Sequence, residues 1–280
     1  YLFTGGVAGG CSVLHGVAKL TGNERLAKSS LYVAGAMEAV SPILLVSDLG
    51  RPERFLHMLR VFKPTSPMSV GSWILVLSSG ATTTAAALEL LGILKPLRVL
   101  AELASFVAGP PLATYTGALL ANTAIPVWSE ARDELPFLFG ASACACAGSA
   151  TAIFTPVSSA GPAQRAAVVG AAVELGILHT MEQRLGFVGE VYKEGDAHRY
   201  GRLSKSLVAA GAGLVAVAGR RSRTAAVTGG AMILAGELAL RWSVFKAGFQ
   251  SARDPKYTVL PQRARKAARK VSAPAPPSAS

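Results

Sequence analysis

The sequence predicts an all-α integral membrane protein of about eight spanning helices with essentially no soluble domain. Three observations carry this. First, 51% of the 280 residues are hydrophobic and only 16% are charged, where an average soluble domain carries about a quarter charged residues. Second, long apolar stretches alternate with short segments that hold nearly all the Lys and Arg. Third, the period-2 alternation of a membrane barrel strand is absent. Backbone polar groups in lipid must be satisfied within the segment, so each stretch reads as a helix, and a crossing takes about 20 residues.

The stretches fall at 2–20, 29–47, 68–92, 99–123, 135–157, 166–188, 203–219 and 225–245. The seventh is short and the sixth is the most polar. All are rich in Ala, Gly, Ser and Thr, residues that let helix backbones approach closely in lipid. Gly5, Gly6, Gly9 and Gly10 form two overlapping GxxxG pairs on the first stretch, which reads as tight packing against a neighbour. The chain opens directly in this stretch, without the basic leader of a signal peptide. Residues 1–262 form one transmembrane domain. From 263 to 280 the chain turns basic and then Pro/Ala/Ser-rich, a composition that cannot bury a core and is expected to be disordered.

Eight crossings put both termini on one side, here side A. Of the 28 Lys and Arg, 19 lie on side A and 9 on side B. This bias predicts cytoplasmic termini in a cell (plasma or inner) membrane. The net charge of +12 belongs to membrane flanks and a lipid-facing tail rather than to a nucleic-acid surface.

Redox capacity is small. Cys11, Cys144 and Cys146 lack the four-thiolate spacing of an iron–sulfur cluster and read as small buried hydrophobes. Of the histidines, only His15 and His179 fall within spans, and nothing beside them supports a bis-His haem. The expectation is a chain with no metal, haem or cluster of its own. No repeated filter-like segment suggests an ion channel.

The side-A loops are more specific. Ser47-Asp48-Leu49-Gly50-Arg51-Pro52-Glu53-Arg54-Phe55 leads to Lys63-Pro64-Thr65-Ser66-Pro67-Met68-Ser69. Tyr115-Thr116-Gly117-Ala118-Leu119-Leu120-Ala121 is followed by Pro126-Val127-Trp128, and Ser251-Ala252-Arg253-Asp254-Pro255 follows the last span. On these motifs the chain resembles the NrfD-like family, the membrane subunits of polysulfide reductase and related oxidoreductases. The resemblance runs from the glycines of the first span to about Val259. It implies two four-helix bundles and an exchange of electrons and protons with a membrane quinone, menaquinone or ubiquinone. It also implies a ferredoxin-like iron–sulfur partner and, through it, a catalytic subunit, often a molybdopterin enzyme.

Candidate sites follow. Tyr115 stands eight residues before the side-A end of its span, about 12 Å into the membrane, and matches the family's quinone-contacting tyrosine. The alternative is a tyrosine packed beside Pro110 and Pro111 and satisfied by a freed carbonyl. A first-span histidine that contacts quinone in a relative would align near Tyr1, so this chain either departs from that detail or loses the region by truncation. His15, about 20 Å from side A, is a lesser candidate. Asp48, Arg51, Arg54, Trp128, Arg253 and Asp254 are expected to dock the iron–sulfur partner, with Asp48 and Arg51 capping and fixing their loop. Intramembrane Glu38, Glu174, His179 and Glu182 are either a wet proton route or interhelical hydrogen-bonding groups. Glu237 and Arg241, four apart, read as an ion pair. Two other classes remain open: a proton-coupled transporter using the same acids, although no inverted repeat is visible, and a structural anchor without quinone.

Overall fold

The computed structural model describes residues 1–260 and 262–263, so the expected tail lies outside the described residues, Arg263 excepted. The all-helical class is observed, with no strand among the described residues. The order is α1 (Leu2–Leu20), α2 (Glu24–Asp48), α3 (Arg54–Leu59), α4 (Pro67–Leu91), α5 (Lys95–Ala121), α6 (Pro126–Glu130), α7 (Leu135–Phe154), α8 (Gly161–Arg184), a 3-10 turn (Val188–Lys193), α9 (Gly195–Ala218) and α10 (Arg223–Arg253).

Five of these, α2, α4, α5, α7 and α9, are long and apolar enough to cross a membrane. Helices α1, α8 and α10 fall short of that standard. Among their polar residues are His15, Glu174, Glu237 and Arg241, all at least 95% buried. A helix that faces other helices can hold polar groups that a lipid-facing one cannot. Most long helices also outrun their apolar stretches. Helix α2 begins at Glu24 rather than 29, α9 at Gly195 rather than 203, and α10 continues to Arg253 rather than stopping at 245. Apolarity marks the hydrocarbon layer, whereas backbone hydrogen bonding continues through the charged turns at its edge. The side-A connections are likewise partly helical, holding α3, α6 and the 3-10 turn.

Local chemistry sets the ends. Asn23 accepts from the Leu26 amide and donates to the Ser159 carbonyl at 2.9 Å, capping α2 while joining two side-B loops. Ser66 and Ser222 cap α4 and α10 in the same manner, the first followed by Pro67. Arg223 donates to the carbonyls of Ala152, Ile153 and Thr155, closing the C-terminal end of α7.

Helix α1 is the post around which the rest is arranged. It packs on α2, α5 and α7. At Gly9 a Cβ would stand 2.6 Å from the Gly109 carbonyl oxygen of α5, and at Gly10 it would stand 2.4 Å from the Ala143 oxygen of α7. Two glycine pairs therefore do not act as one stripe: Gly9 and Gly10 make the backbone contacts, whereas a Cβ on Gly5 would meet nothing within 4 Å. Helices α4 and α5 pack together and on α2 and α1; α7 packs on α8 and α10, and α9 lies along α10. The side-A end of α7–α10 is closed by an apolar cluster that includes Val127, Trp128, Leu185, Val191, Tyr192 and Tyr257.

This packing separates two glycines that look equivalent in sequence. Gly10→Ala should destabilise the detergent-solubilised protein by about 1–3 kcal/mol through overpacking. Gly5→Ala should be neutral or stabilising by up to about 1 kcal/mol, since alanine is the better helix former. Thermal unfolding of both variants measures the contrast, and equal shifts would place the contact elsewhere on α1.

Candidate functional site

Tyr115 lies near the side-A end of α5 and is half-buried. Its ring rests against Gly71 of α4, where a Cβ would stand 2.3 Å from Cε2; no larger residue fits there. Tyr1 faces it, with ring centroids 6.3 Å apart and planes at 52°. Met37, Leu45, Ile74 and Leu75 complete an apolar surround. Among the described residues, no protein group hydrogen-bonds the Tyr115 hydroxyl, so the freed-carbonyl alternative is not what the structure shows. An outward-facing groove of about 610 Å³ between α4 and α5, lined by Ile74, Leu77, Val107 and Pro111, ends one helical turn from Tyr115. The arrangement is a pair of phenols without hydrogen bonds among the described residues, one helical turn from an outward-facing apolar groove.

The structure joins Tyr1 to Tyr115 but leaves His15 apart. Fourteen residues separate Tyr1 from His15 along α1, about 21 Å of rise. His15 is 1% exposed. Its Nδ1 lies 2.8 Å from the Ala27 carbonyl, which can only accept, so Nδ1 carries the hydrogen. Its Nε2 faces Glu102 of α5 at 3.9 Å. Glu102 is in turn 3.5 Å from Arg98, which pairs with Glu89, and Glu89 pairs with Lys28 at 3.0 Å.

The four expected proton-route residues do not form one chain. Glu38 is fully buried on α2 and accepts from the hydroxyls of Ser78 and Ser79 on α4. Glu174 is fully buried on α8 beside Glu237 of α10, and Glu237 accepts from Ser142 of α7. His179 sits on the exposed face of α8 and bonds Gln183 at 2.9 Å. Glu182 pairs with Lys205 of α9 at 2.7 Å. The expected Glu237–Arg241 ion pair is not formed. Arg241 instead lies over the Phe139 ring, 3.8 Å from its centroid, and reaches the Leu2 carbonyl of α1. The ring face attracts the guanidinium, and one helical turn was not enough to bring the two side chains together.

The expected docking residues divide in two. Asp48, Arg51, Arg54 and Arg253 are exposed at side A, and Asp254 is half-exposed, accepting from the Lys256 amide at 3.0 Å. Leu56, Val61, Phe62 and Met68 add exposed apolar surface to the same loop. Asp48 and Arg51 do not cap it, since neither side chain hydrogen-bonds within the described residues. Trp128 is buried at 4% exposure, donates from Nε1 to the Val244 carbonyl at 2.9 Å, and fits against Gly248. Its visible work is to pin α6 onto α10. At the side-A end of α8, Arg184 pairs with Glu134.

Several site residues escaped sequence reasoning. Glu89 and Glu102 lie inside apolar stretches and were legible as intramembrane charges. Ser12, Ser78, Ser79, Thr82 and Ser105 were not, because small hydroxyl residues are common in every span. No curated protein matches the chain. Residues 2–253 match the family model described as polysulfide reductase, of NrfD type. With residues 2–253 of the 280 matched, the chain belongs to the NrfD-type polysulfide reductase family and is a membrane subunit of an oxidoreductase complex.

Proposed function

We propose that this chain exchanges electrons and protons between a membrane quinone and an iron–sulfur partner, as the quinone-handling subunit of its complex. In this reading all eight long helices cross the membrane, α1, α2, α4 and α5 as one four-helix bundle and α7–α10 as a second. The observation that carries the reading is the Tyr115 phenol, half-buried without a hydrogen-bond partner among the described residues and one helical turn from an apolar groove. A quinone has the complementary chemistry: a polyisoprenoid tail for the groove between α4 and α5, and a carbonyl oxygen to accept from Tyr115. Menaquinone and ubiquinone both satisfy it. Electrons arrive or leave through a ferredoxin-like iron–sulfur subunit on side A, linked to a molybdopterin catalytic subunit. Electron transfer demands short distances, and Tyr115 lies close to side A.

Tyr115→Phe should assemble with its partners and slow quinone turnover several-fold to tenfold, because one hydrogen bond contributes about 0.5–1.5 kcal/mol. A larger loss would mean that the phenol also guides a proton. Unchanged quinone kinetics in a fully assembled complex would move the site away from Tyr115.

Arg51 and Arg54 offer permanently charged, planar forks to an interface carboxylate, and neither side chain makes a hydrogen bond or ion pair among the described residues. Replacing both with Glu should leave the subunit inserted and reduce co-purification of the iron–sulfur subunit. Retention at wild-type stoichiometry would assign that loop to another task.

The termini are proposed to be cytoplasmic, from the basic excess on side A. Reporter fusions after Pro274 and within 220–223 should give opposite signals, with the first cytoplasmic. Equal signals would break the even number of crossings, and reversed ones would invert the orientation.

A further inference from the structure

We infer that the protons exchanged at the quinone travel through the first four long helices from side B, the end opposite the electron partner, along a seam of buried polar side chains. The inference rests on the quinone reading above and specifies where its protons come from.

The seam begins where Lys28, Glu89 and Arg98 meet at side B, with Lys28 half-exposed. Arg98 leads to Glu102, and Glu102 to the Nε2 of His15. One turn along α1 stands Ser12. Its hydroxyl lies 3.0 Å from Ser105 of α5 and 3.5 Å from Thr82 of α4, and Thr82 and Ser105 are 2.7 Å apart. One turn along α4 from Thr82 is Ser78, bonded to Glu38. One turn along α2 from Glu38 is Ser41, whose hydroxyl donates to Thr4 of α1 at 2.8 Å. Thr4 bonds the Tyr1 carbonyl, and Tyr1 packs on Tyr115. As far as Thr4 the groups are joined by hydrogen bonds and ion pairs of up to 3.9 Å or by single helical turns, each about 5 Å, a gap that one water spans; from Thr4 to Tyr115 the link is the Tyr1 carbonyl and ring packing at 6.3 Å between centroids.

Interhelical adhesion alone explains the hydroxyl triad. It does not explain three other features. His15 Nε2 is buried without a hydrogen-bond partner, and beside it Glu102 Oε1 and Arg98 Nε meet only as an ion pair at 3.5 Å. Buried polar atoms are normally satisfied, by protein groups or by ordered water. Glu38 has two neutral hydroxyl donors and no cation within ion-pair distance among the described residues. A carboxyl so held can take and release a proton. His15 keeps Nδ1 committed to Ala27, leaving Nε2 as the atom free to take a proton from Glu102 and pass it on toward Ser12. Reduction of a quinone then balances as follows. Two electrons come from the iron–sulfur subunit, one proton bonds to each carbonyl oxygen, and Glu38, after giving up a proton, is refilled from Glu102 and side B. Quinol oxidation runs the same steps backwards.

The test uses the purified whole complex in liposomes, side A outward, with a pH-sensitive dye trapped inside and decylubiquinone as the probe. Quinone reduction should make the lumen more alkaline, and decylubiquinol oxidation should make it more acidic. Glu38→Gln and Glu102→Gln should each slow turnover at least tenfold while the amount of quinone bound stays at the wild-type level. Proton exchange with the outer medium alone, or wild-type turnover in both variants, would overturn the seam while leaving the quinone reading intact. A wild-type complex that binds and turns over no quinone would instead overturn the reading beneath it. The lumen measurement needs no variant, so a substitution that fails to assemble does not block the answer.

Discussion

The backbone contact of α1 with α5 at Gly9 and with α7 at Gly10 is the constraint on which the remaining structure depends. Lipid supplies no hydrophobic drive for helices to associate, so packing and hydrogen bonds must hold them. Glycine at both positions lets one helix touch two neighbours at backbone distance. That places α1 between the first group of long helices and the second. Its polar residues then face protein on every side. His15 reaches Ala27 and Glu102, Ser12 reaches α4 and α5, and the Leu2 carbonyl meets Arg241 of α10. A bulkier α1 would stand off from α5 and α7 and leave these groups without partners in an apolar medium.

Polar groups inside the protein are distributed in two separate sets. The first set lies among α1, α2, α4 and α5 and consists largely of hydroxyls that connect Glu38 and His15. The second is compact: Glu174, Glu237, Ser142 and Arg241 meet where α7, α8 and α10 converge. An unpaired buried charge costs several kcal/mol, so each set has to be neutral or internally compensated. Arg241 contributes to that compensation from above the Phe139 ring rather than through a direct ion pair. Its contact with Leu2 makes it the one charged side chain described here that touches both groups of helices.

The helical class and the positions of the long helices were legible because the bilayer imposes a simple rule on composition. Their ends were not, since Glu24, Gly195 and Arg253 are helical for reasons of backbone bonding that hydropathy does not report. Tyr115 was legible through the motif around it, and Tyr1 through its place before the glycines. Trp128 looked like a surface residue because it sits in a loop between two apolar stretches; Gly248, 120 residues later in the chain, forms the slot that buries it. His15 and Glu102 illustrate the same limit. Each is visible as an oddity in its own span, but only the crossing of α1 and α5 makes them neighbours. Pairing between distant helices depends on rotation about each axis, and small residues repeated on every face leave that rotation undetermined in the sequence.

The placement of Tyr115 near one end and of His15 near the other has an energetic consequence. In the proposed reading, electrons that enter from side A and protons that enter from side B would reach the quinone from opposite directions. Charge would then cross part of the membrane with every turnover, although no residue moves across it. Moving one elementary charge through the full potential is worth about 2.3 kcal/mol per 100 mV, so the depth of the quinone would set how strongly the reaction couples to the potential. A quinone at Tyr115, six residues or about 9 Å from the side-A end of α5, would assign the longer path to the protons and the shorter one to the electrons. This division suits the chemistry of each carrier. Electrons require closeness to a cluster and no bound water, whereas protons need only a sequence of oxygen and nitrogen atoms, which Glu102, His15, Ser12, Thr82, Ser78 and Glu38 provide from one side of the bundle to its interior.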